Sequence, residues 1–341
     1  MSGNGVLVSF VVTNHNYARY LPRALDSLLT QTHSAIEIVI VDDHSSDDSR
    51  SVIAAYARDP RVRVVLHDTN RGSIASYNEG LALARGEFVG VFDADDYALR
   101  ADAVARQVAL FLAHPRLGFV YSAFTLVDEH DVPFRESAPW STDHVRPGLD
   151  AFVDLLALNT VPHSGTLVRR SCHDTVGWYD PRLPYAGDWE LWLRLAARYD
   201  VGYLATPLYA YRVHRNNMTS RGKAPAEATR ERLLAVERAF ASLPPDAPSW
   251  IRRLESTARR HALLTGTWND RSFGRTRRSW EGLLDAVRRD PTLLATRDLY
   301  GATARLTLLT LVGHARYERI ATWRSSHGSP ASSTPSGRRI A

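Results

Sequence analysis

Apolar positions along the first 112 residues alternate between short unbroken runs and helically spaced sets. Residues 6–12, Val-Leu-Val-Ser-Phe-Val-Val, are almost continuously apolar and rich in β-branched side chains, which predicts a buried strand. Tyr17–Leu29 places Tyr20, Leu21, Ala24, Leu25 and Leu28 at helical spacing, with Pro22 near the start, where a missing N–H is tolerated. Ile36–Val41 predicts a second strand, and the polar turn Asp42–Asp47 leads into a helix over Ser49–Tyr56. Arg61–Leu66 predicts a strand, Ser73–Ala84 a helix, Phe88–Phe92 a strand and Ala101–Leu112 a helix. This alternation predicts an α/β domain with a parallel sheet covered by helices on both faces. Ligands of such sheets gather at the carboxyl ends of the strands. Thr13-Asn14, Asp42-Asp43 and Asp93–Asp96 fall at those ends.

From about residue 118 the alternation loosens. Gly118–Ser122 and Gly165–Val168 predict strands, and Asp150–Leu158 and Asp188–Tyr199 predict helices. Beyond Arg221 the pattern is helical only, over Ala226–Leu243, Ser249–Leu264, Thr276–Arg289 and Leu293–Leu311, with a break at Leu243-Pro-Pro-Asp-Ala-Pro. The Ser-, Pro-, Gly- and Arg-rich end predicts disorder. The expected organisation is a catalytic-type α/β domain over 1–220, a basic helical extension over 221–325 and a disordered tail over 326–341. No strict repeat spacing is present.

Composition narrows the classes. A chain of 341 residues with 44% apolar and 23% charged residues is globular and can bury a sizeable core. No apolar run approaches the roughly 18 residues of a spanning helix, and no basic segment precedes Val6–Val12 as a signal peptide would require. Cys172 is the only cysteine, which excludes an intrachain disulfide and a cysteine zinc cage. The expected location is the cytoplasm. Charge is uneven: residues 1–220 hold 20 basic and 26 acidic residues, net −6, and 221–341 hold 22 and 11, net +11. Solvated helix faces account for Arg252-Arg253, Arg259-Arg260, Arg277-Arg278 and Arg288-Arg289, and peripheral contact with an anionic membrane is the rival reading. Aromatic residues are not interleaved with these arginines, so nucleic acid is not an expected partner.

Asp93, Asp95 and Asp96 end a buried strand. Carboxylates so spaced can converge on a hard cation such as Mg²⁺ or Mn²⁺, and their mutual repulsion calls for a partner; an acidic turn is the plain alternative. Asp43 can accept the N3–H of a pyrimidine base or cap a helix. Thr13, Asn14 and Asn16 suit a nucleotide or simply a polar loop. Asp188 can cap the helix that follows it. His163-Ser164-Gly165 lacks a nucleophile elbow and reads as a site-lining loop. Trp178, Trp189 and Trp192 read as core or as platforms for a sugar. No phosphate-binding Gly-x-x-x-x-Gly-Lys loop and no Gly-x-Gly-x-x-Gly follows a strand.

Taken in order, Thr13-Asn14-His15-Asn16-Tyr17, Leu25–Thr32, Glu37–Asp47, Asn70-Arg71-Gly72 with Tyr77-Asn78-Glu79-Gly80, Ala84–Asp96, Gly187–Arg194 and Tyr211-Arg212-Val213-His214 resemble the family-2 glycosyltransferases over about residues 5–220. The resemblance implies a GT-A fold, a Rossmann-like and mostly parallel sheet with helices on both faces, here followed by an α-helical C-terminal extension. It implies a nucleotide-sugar donor, UDP-linked, and a divalent cation, Mn²⁺ or Mg²⁺. Thr13 and Asp43 match positions that hold the nucleobase, and Asn14, Asn16, Arg71, Asn78, Ala94 and Arg212 are expected to border the nucleotide sugar. Asp93 and Asp95 match the Asp-x-Asp motif. His214 matches a histidine near the metal or diphosphate, with a surface histidine as its alternative. Asp188 matches the base of inverting members.

Two departures stand out: Gly187 precedes Asp188 where a glutamate is usual, and His44 stands where glycine is common, a change of little weight unless that position takes positive φ. The Gln-x-x-Arg-Trp motif of processive synthases is absent. The expected activity is transfer of one sugar to an acceptor hydroxyl in polysaccharide, glycolipid or natural-product synthesis. A nucleotidyltransferase and a non-catalytic scaffold of the same fold are the rivals.

Overall fold

A computed structural model describes residues 5–218, 225–265 and 276–312. The expected tail over 326–341 lies outside them. The described strands are β1 (Val8–Asn14), β2 (Ile36–Asp42), β3 (Val62–Leu66), β4 (Phe88–Asp93), β5 (Tyr97–Ala98), β6 (Leu117–Val127), β7 (Pro133–Ser137), β8 (His144–Arg146), β9 (Leu167–Arg169) and β10 (Asp200–Arg212). The helices are α1 (Leu21–Leu29), α2 (Ser49–Tyr56), α3 (Ser73–Leu83), α4 (Ala103–Ala113), α5 (Gly148–Ala157), α6 (Cys172–Val176), α7 (Gly187–Ala196), α8 (Pro225–Ala241), α9 (Ser249–Arg253), α10 (Glu255–Thr265), α11 (Thr276–Arg289) and α12 (Arg297–Val312). A 3-10 turn, Pro291–Ala295, precedes α12.

The main sheet path runs β3-β2-β1-β4-β9-β6-β10-β5, with β7 on β6 and β8 on β10. β3, β2, β1 and β4 pair in parallel, as do β6 and β10. The short β9 joins the two parallel blocks antiparallel to both β4 and β6. The sheet is therefore mixed rather than wholly parallel. Two apolar layers cover it. One includes Val8, Phe10, Val12, Ile38 and Ile40 with Leu21, Leu25 and Leu28 of α1; the other includes Val11, Val39 and Val41 with α3, α5 and α7. The alternation of strand side chains between these layers is the period of two expected of β-structure.

Three local differences from the sequence pattern have physical causes. The helix expected from Tyr17 begins at Leu21, because Pro22 occupies the first turn and Tyr17–Tyr20 form the preceding turn. Residues 200–212, where the apolar pattern predicts no strand, form β10; its pairing with β6 shifts register between Leu204 and Tyr209, around Pro207. His44 takes φ 60°, so this side chain occupies a backbone region that glycine would occupy without strain.

The described residues divide into two compact units, the first drawn from 5–218 and 230–262, the second from 225–229, 263–265 and 276–312. In the first unit Ala235, Val236, Ala239 and Phe240 of α8 join the apolar layer that holds α5 and α7. In the second, α11 buries Ser279, Gly282, Leu283 and Ala286, and Leu306 and Leu309 of α12 are also buried. Among the described residues no helix is long and apolar enough to cross a membrane.

Gly80 shows how tightly α3 lies on the sheet. A Cβ there would overlap Val11 Cγ1 and stand 3.1 Å from Val41 Cγ2, both stiff β-branched side chains of the sheet face. Gly80→Ala is expected to destabilise the fold by about 1–3 kcal/mol, read as a lower urea midpoint at unchanged slope.

Candidate active site

A cleft of about 460 Å³ opens at the carboxyl ends of β1, β2 and β4 and lies within the first unit. Thr13, Asn14, Asn16, Asp43, Asp93 and Asp95 all line it. Asp96 lines it too, as do Pro184 and Asn217, which the sequence did not single out.

At one end, Asp43 follows β2. Its Oδ1 accepts the Arg71 N–H (2.7 Å) and pairs with His67 Nδ1 (2.8 Å), and its Oδ2 accepts the Gly72 N–H (2.8 Å). The two backbone donors come from the turn that starts α3, so Asp43 caps that entry rather than α2. Burial alone would raise its pKa, but the hydrogen bonds from Arg71, His67 and Gly72 outweigh burial and hold it below the ordinary carboxylate value. Its contribution to stability is thus present above the unfolded carboxylate pKa, about 3.9, and is lost as pH falls through the lower folded value. His67 Nε2 reaches Glu79 Oε2 at 3.0 Å, so the buried His67 imidazole links the buried Asp43 to the partly exposed Glu79. Its position at the end of β3 is the sequence signal by which His67 is recognisable. Asp43→Ala is expected to leave the Arg71 N–H unpaired and the Gly72 N–H with Asn70 Oδ1 as its one acceptor. It should cost about 1–3 kcal/mol of stability, read by urea unfolding.

Asn14 donates to Asp42 Oδ1 (2.7 Å) and Ser45 Oγ (3.0 Å), while its own Oδ1 is buried without a partner among the described residues. Such an orphaned acceptor in a cleft invites a donor from a ligand. Asn16, at φ 61°, accepts the Ser46 N–H at 2.7 Å and ties the loops after β1 and β2 together.

In the middle stand three carboxylates. Asp93 accepts from Tyr77 Oη (3.2 Å) and Ser164 Oγ (3.3 Å) and pairs with His163 Nδ1 (3.2 Å). Burial pushes its pKa up, yet His163, Tyr77 and Ser164 bring it below the ordinary value. Asp95 Oδ2 is held by His214 Nε2 (2.9 Å) and Asn217 Nδ2 (3.1 Å). Burial, together with the charge of Asp93, leaves Asp95 raised despite His214. Asp96 is raised further, by burial and then by Asp95 and Asp93; its Oδ2 is buried without a hydrogen-bond partner among the described residues. Crowded carboxylates with an orphaned oxygen are the donor chemistry of a hard cation. No group of three His, Cys, Asp or Glu side chains among the described residues makes a complete cage. A cation here therefore needs oxygens from a second ligand.

His214 Nδ1 accepts the Asn216 N–H at 3.2 Å, so its Nε2 carries the proton donated to Asp95. Both ring nitrogens are engaged, and the ring orients Asp95. Arg212 is turned from the cleft: its buried guanidinium donates to the Asp95 carbonyl (2.8 Å) and the Asp128 carbonyl (3.2 Å), pairs with Asp131 (2.6 Å) and lies over Tyr20. Arg71 and Asn78 do not line the cleft either. Arg71 Nη1 bonds Glu79 at 3.1 Å, and the Asn78 amide is spent on both backbone groups of Tyr179. Ala94 is fully buried, its N–H donated to the Thr13 carbonyl.

Asp188 lies in the first turn of α7, whose N-cap is Ala186. Its Oδ1 accepts the Trp189 N–H (2.6 Å) and its Oδ2 the Asn159 amide (3.2 Å). It is not among the residues lining the cleft, but it feels the charges of His163 and Asp93. Burial, aided by Asp93, raises its pKa despite His163, Trp189 and Asn159. His163 thus stands between two carboxylates; its Nε2 meets Tyr179 Oη at 3.1 Å. Trp189 and Trp192 are core: the indole N–H of Trp189 donates to the Leu155 carbonyl, and Trp192 stacks on Phe119. Trp178 stacks on His173.

Comparison with known proteins follows this geometry. The family model described as Glycosyl transferase family 2 matches residues 9–176. A glycosyltransferase of Nostoc sp. that is itself uncharacterized is 31% identical over 242 residues, 67% of this chain and 72% of the relative. The fold is similar to S. aureus TarS 1–349, solved in complex with UDP-GlcNAc (TM-score 0.66, 18% identity, 94% of this chain and 92% of that one). It is also similar to a mannosyltransferase of Pyrobaculum calidifontis solved with GDP-Man and Mn²⁺ (TM-score 0.56, 18% identity, 94% and 84%). At these identities the structural likeness is one of fold, and the fold is GT-A-like.

Proposed function

The chain belongs to glycosyl transferase family 2, and from that premise we propose that it is a metal-dependent, inverting, non-processive hexosyltransferase-type enzyme. It moves a single sugar from a UDP-sugar to a hydroxyl of a polysaccharide, glycolipid or natural-product acceptor. The observation that carries this reading is the crowding of Asp93, Asp95 and Asp96 in one cleft, with an Asp96 oxygen left unpaired and two of the three carboxylates raised. A bound divalent cation offsets that repulsion and, with a diphosphate, neutralises the charge that grows on the leaving group.

Asp95 and Asp93 hold the cation in this proposal. His214 orients Asp95 and is available as a further ligand if it gives up one of its two ring hydrogen bonds. Thr13, Asn14, Asn16 and Asp43 hold the nucleobase end, where Asp43 accepts N3–H of uracil. Arg71, Asn78, Ala94 and Arg212 serve the nucleotide through their neighbours: the Asp43 turn, the Tyr179 loop, the end of β1 and the Asp95 carbonyl. Asp188 takes the acceptor proton as the hydroxyl attacks the anomeric carbon from the face opposite the diphosphate. The UDP-GlcNAc and GDP-Man of the two solved neighbours fit a nucleotide-sugar donor, and the Mn²⁺ of the second fits the cation.

Residues 1–220 form the transferase domain in this reading, followed by the helical extension. The enzyme works in the cytoplasm, at the inner membrane face where the acceptor is lipid-linked. A thermal-shift screen of nucleotide sugars with and without Mn²⁺ tests the proposal. UDP-sugars with Mn²⁺ are expected to raise Tm by several degrees, since about 2.7 kcal/mol is gained at a hundredfold excess over Kd. No shift with any nucleotide sugar contradicts it.

A further inference from the structure

Helix α8 follows the family-matched segment, residues 9–176, by almost fifty residues of chain. Its positions 231, 235, 236, 239 and 240 are all buried, an i, i+4, i+8 stripe that faces the core. Four of them are the apolar Ala235, Val236, Ala239 and Phe240. The fifth is Glu231, only 1% exposed, a carboxylate where the spacing asks for an apolar side chain. A buried carboxylate is costly unless it is well hydrogen-bonded. Glu231 Oε2 accepts the N–H groups of Tyr185 (2.8 Å) and Ala186 (3.1 Å). Ala186 is the N-cap of α7, two residues before Asp188.

The same helix holds α7 at two further points. The guanidinium of Arg232 lies over the Trp189 ring, 5.5 Å from its centroid, and Arg238 Nε bonds Glu190 Oε1 at 2.7 Å and pairs with Asp180 at 3.2 Å. Trp189 and Glu190 flank Asp188 on its C-terminal side, and Ala186 lies on the other. The turn that carries Asp188 is thus gripped on both sides by one helix. Helix N-termini leave their first N–H groups without intrahelical partners, and an anion there is favoured by the helix dipole.

We propose that Glu231 is a positioning residue for sugar transfer: by accepting the Tyr185 and Ala186 N–H groups it fixes the first turn of α7 and so the place of the Asp188 carboxylate. Helix α8 belongs to the catalytic apparatus on this account, and a chain ending near residue 220 lacks part of it. The inference rests on the reading of Asp188 as base. An apolar residue at position 231 fills the core stripe but takes the acceptor from the Tyr185 and Ala186 N–H groups and leaves the turn unpinned, and a displacement of about 1 Å at a reacting group costs about a hundredfold in rate.

The test uses the full chain, a turned-over UDP-sugar and Mn²⁺, and compares Glu231→Leu, Glu231→Gln and Asp188→Asn. Glu231→Leu is expected to lower kcat about 10- to 100-fold with donor KM and UDP affinity unchanged and Tm not reduced in proportion. Glu231→Gln keeps an oxygen for both N–H groups and is expected to recover kcat to within about threefold. Should the leucine chain fail to fold, Glu231→Ala carries the same kcat readout. Wild-type kcat in the folded leucine or alanine variant, or a loss in Glu231→Gln as large as theirs, overturns the inference. Asp188→Asn separates the two claims: wild-type kcat there overturns the base assignment, whereas an inactive Asp188→Asn beside a fully active Glu231→Leu overturns only the role of Glu231.

Discussion

Asp188→Asn is expected to lower kcat for transfer by about 10²–10⁴-fold, the usual worth of a general base, while UDP with Mn²⁺ binds within about twofold of wild type. The amide oxygen can still accept the Trp189 N–H that the carboxylate accepts now, so the first turn of α7 is preserved. Asp188→Ala should abolish transfer in the same way and also free the Asn159 amide. The pH profile carries a sign. Burial raises the Asp188 carboxyl and the charge of Asp93 adds to it, while His163, the Trp189 N–H and the Asn159 amide lower it; burial prevails and the carboxyl stands above the ordinary value, and the neighbouring Arg232 guanidinium is lowered by its own burial despite Asp188. A base must be ionised to work. The Asp188 limb of kcat/KM is therefore expected above the usual carboxylate value of about 3.9, with activity lost as pH falls through it, and Asp188→Asn should remove that component and leave the one set by the cation-site carboxylates. Single-turnover rates across pH with calorimetric UDP titrations measure both parts. Weak UDP binding by the variant counts against the assignment.

Asp95→Asn is the second large effect, and it should move activity and stability in opposite directions. In the wild type the carboxylate is buried beside Asp93 and its pKa is raised, so ionised Asp95 strains the folded protein. An amide relieves that repulsion, and its oxygen still accepts from His214 and Asn217. The apo variant is expected to melt at or above the wild-type temperature. It should also lose the Mn²⁺-dependent part of UDP binding and at least about 10²-fold in kcat/KM. Strained charge at a site, retained at a cost to stability, is a pattern of functional groups. A variant that loses stability and activity together, with UDP and Mn²⁺ still bound, would mark Asp95 as structural. Melting curves with and without Mn²⁺ decide between the two.

Much of this site was legible because the strand ends are legible. Unbroken apolar runs announce β1, β2 and β4, and the polar residues at their carboxyl ends include Asn14, Asp43 and Asp93, which line one cleft. Thr276–Arg289 is helical over the span its pattern predicts. Side-chain direction was not legible. The spacing that puts Arg212 near the cleft says nothing of its guanidinium, which turns to the Asp95 carbonyl and Asp131, nor of Asn78, which clamps Tyr179. Strand β10 hid behind Gly202 and Pro207, and the antiparallel β9 is only three residues long. His67 and Glu231 escaped for a common reason. Each is a single polar residue whose role depends on a backbone N–H or carboxylate far away in sequence, and periodicity cannot report that.

The central claim is that one cleft holds a nucleotide through Asp43 at its base and a cation through Asp95 at its diphosphate, with Asp188 on the far side of the sugar. Crystals grown with UDP and Mn²⁺ and measured at the manganese edge test it directly. The account predicts an anomalous peak within about 2.3 Å of an Asp95 carboxylate oxygen, shared with the diphosphate, and a uracil ring against Asp43 and Asn14. Nucleotide bound with manganese away from Asp95, or a base bound elsewhere on the molecule, would contradict it.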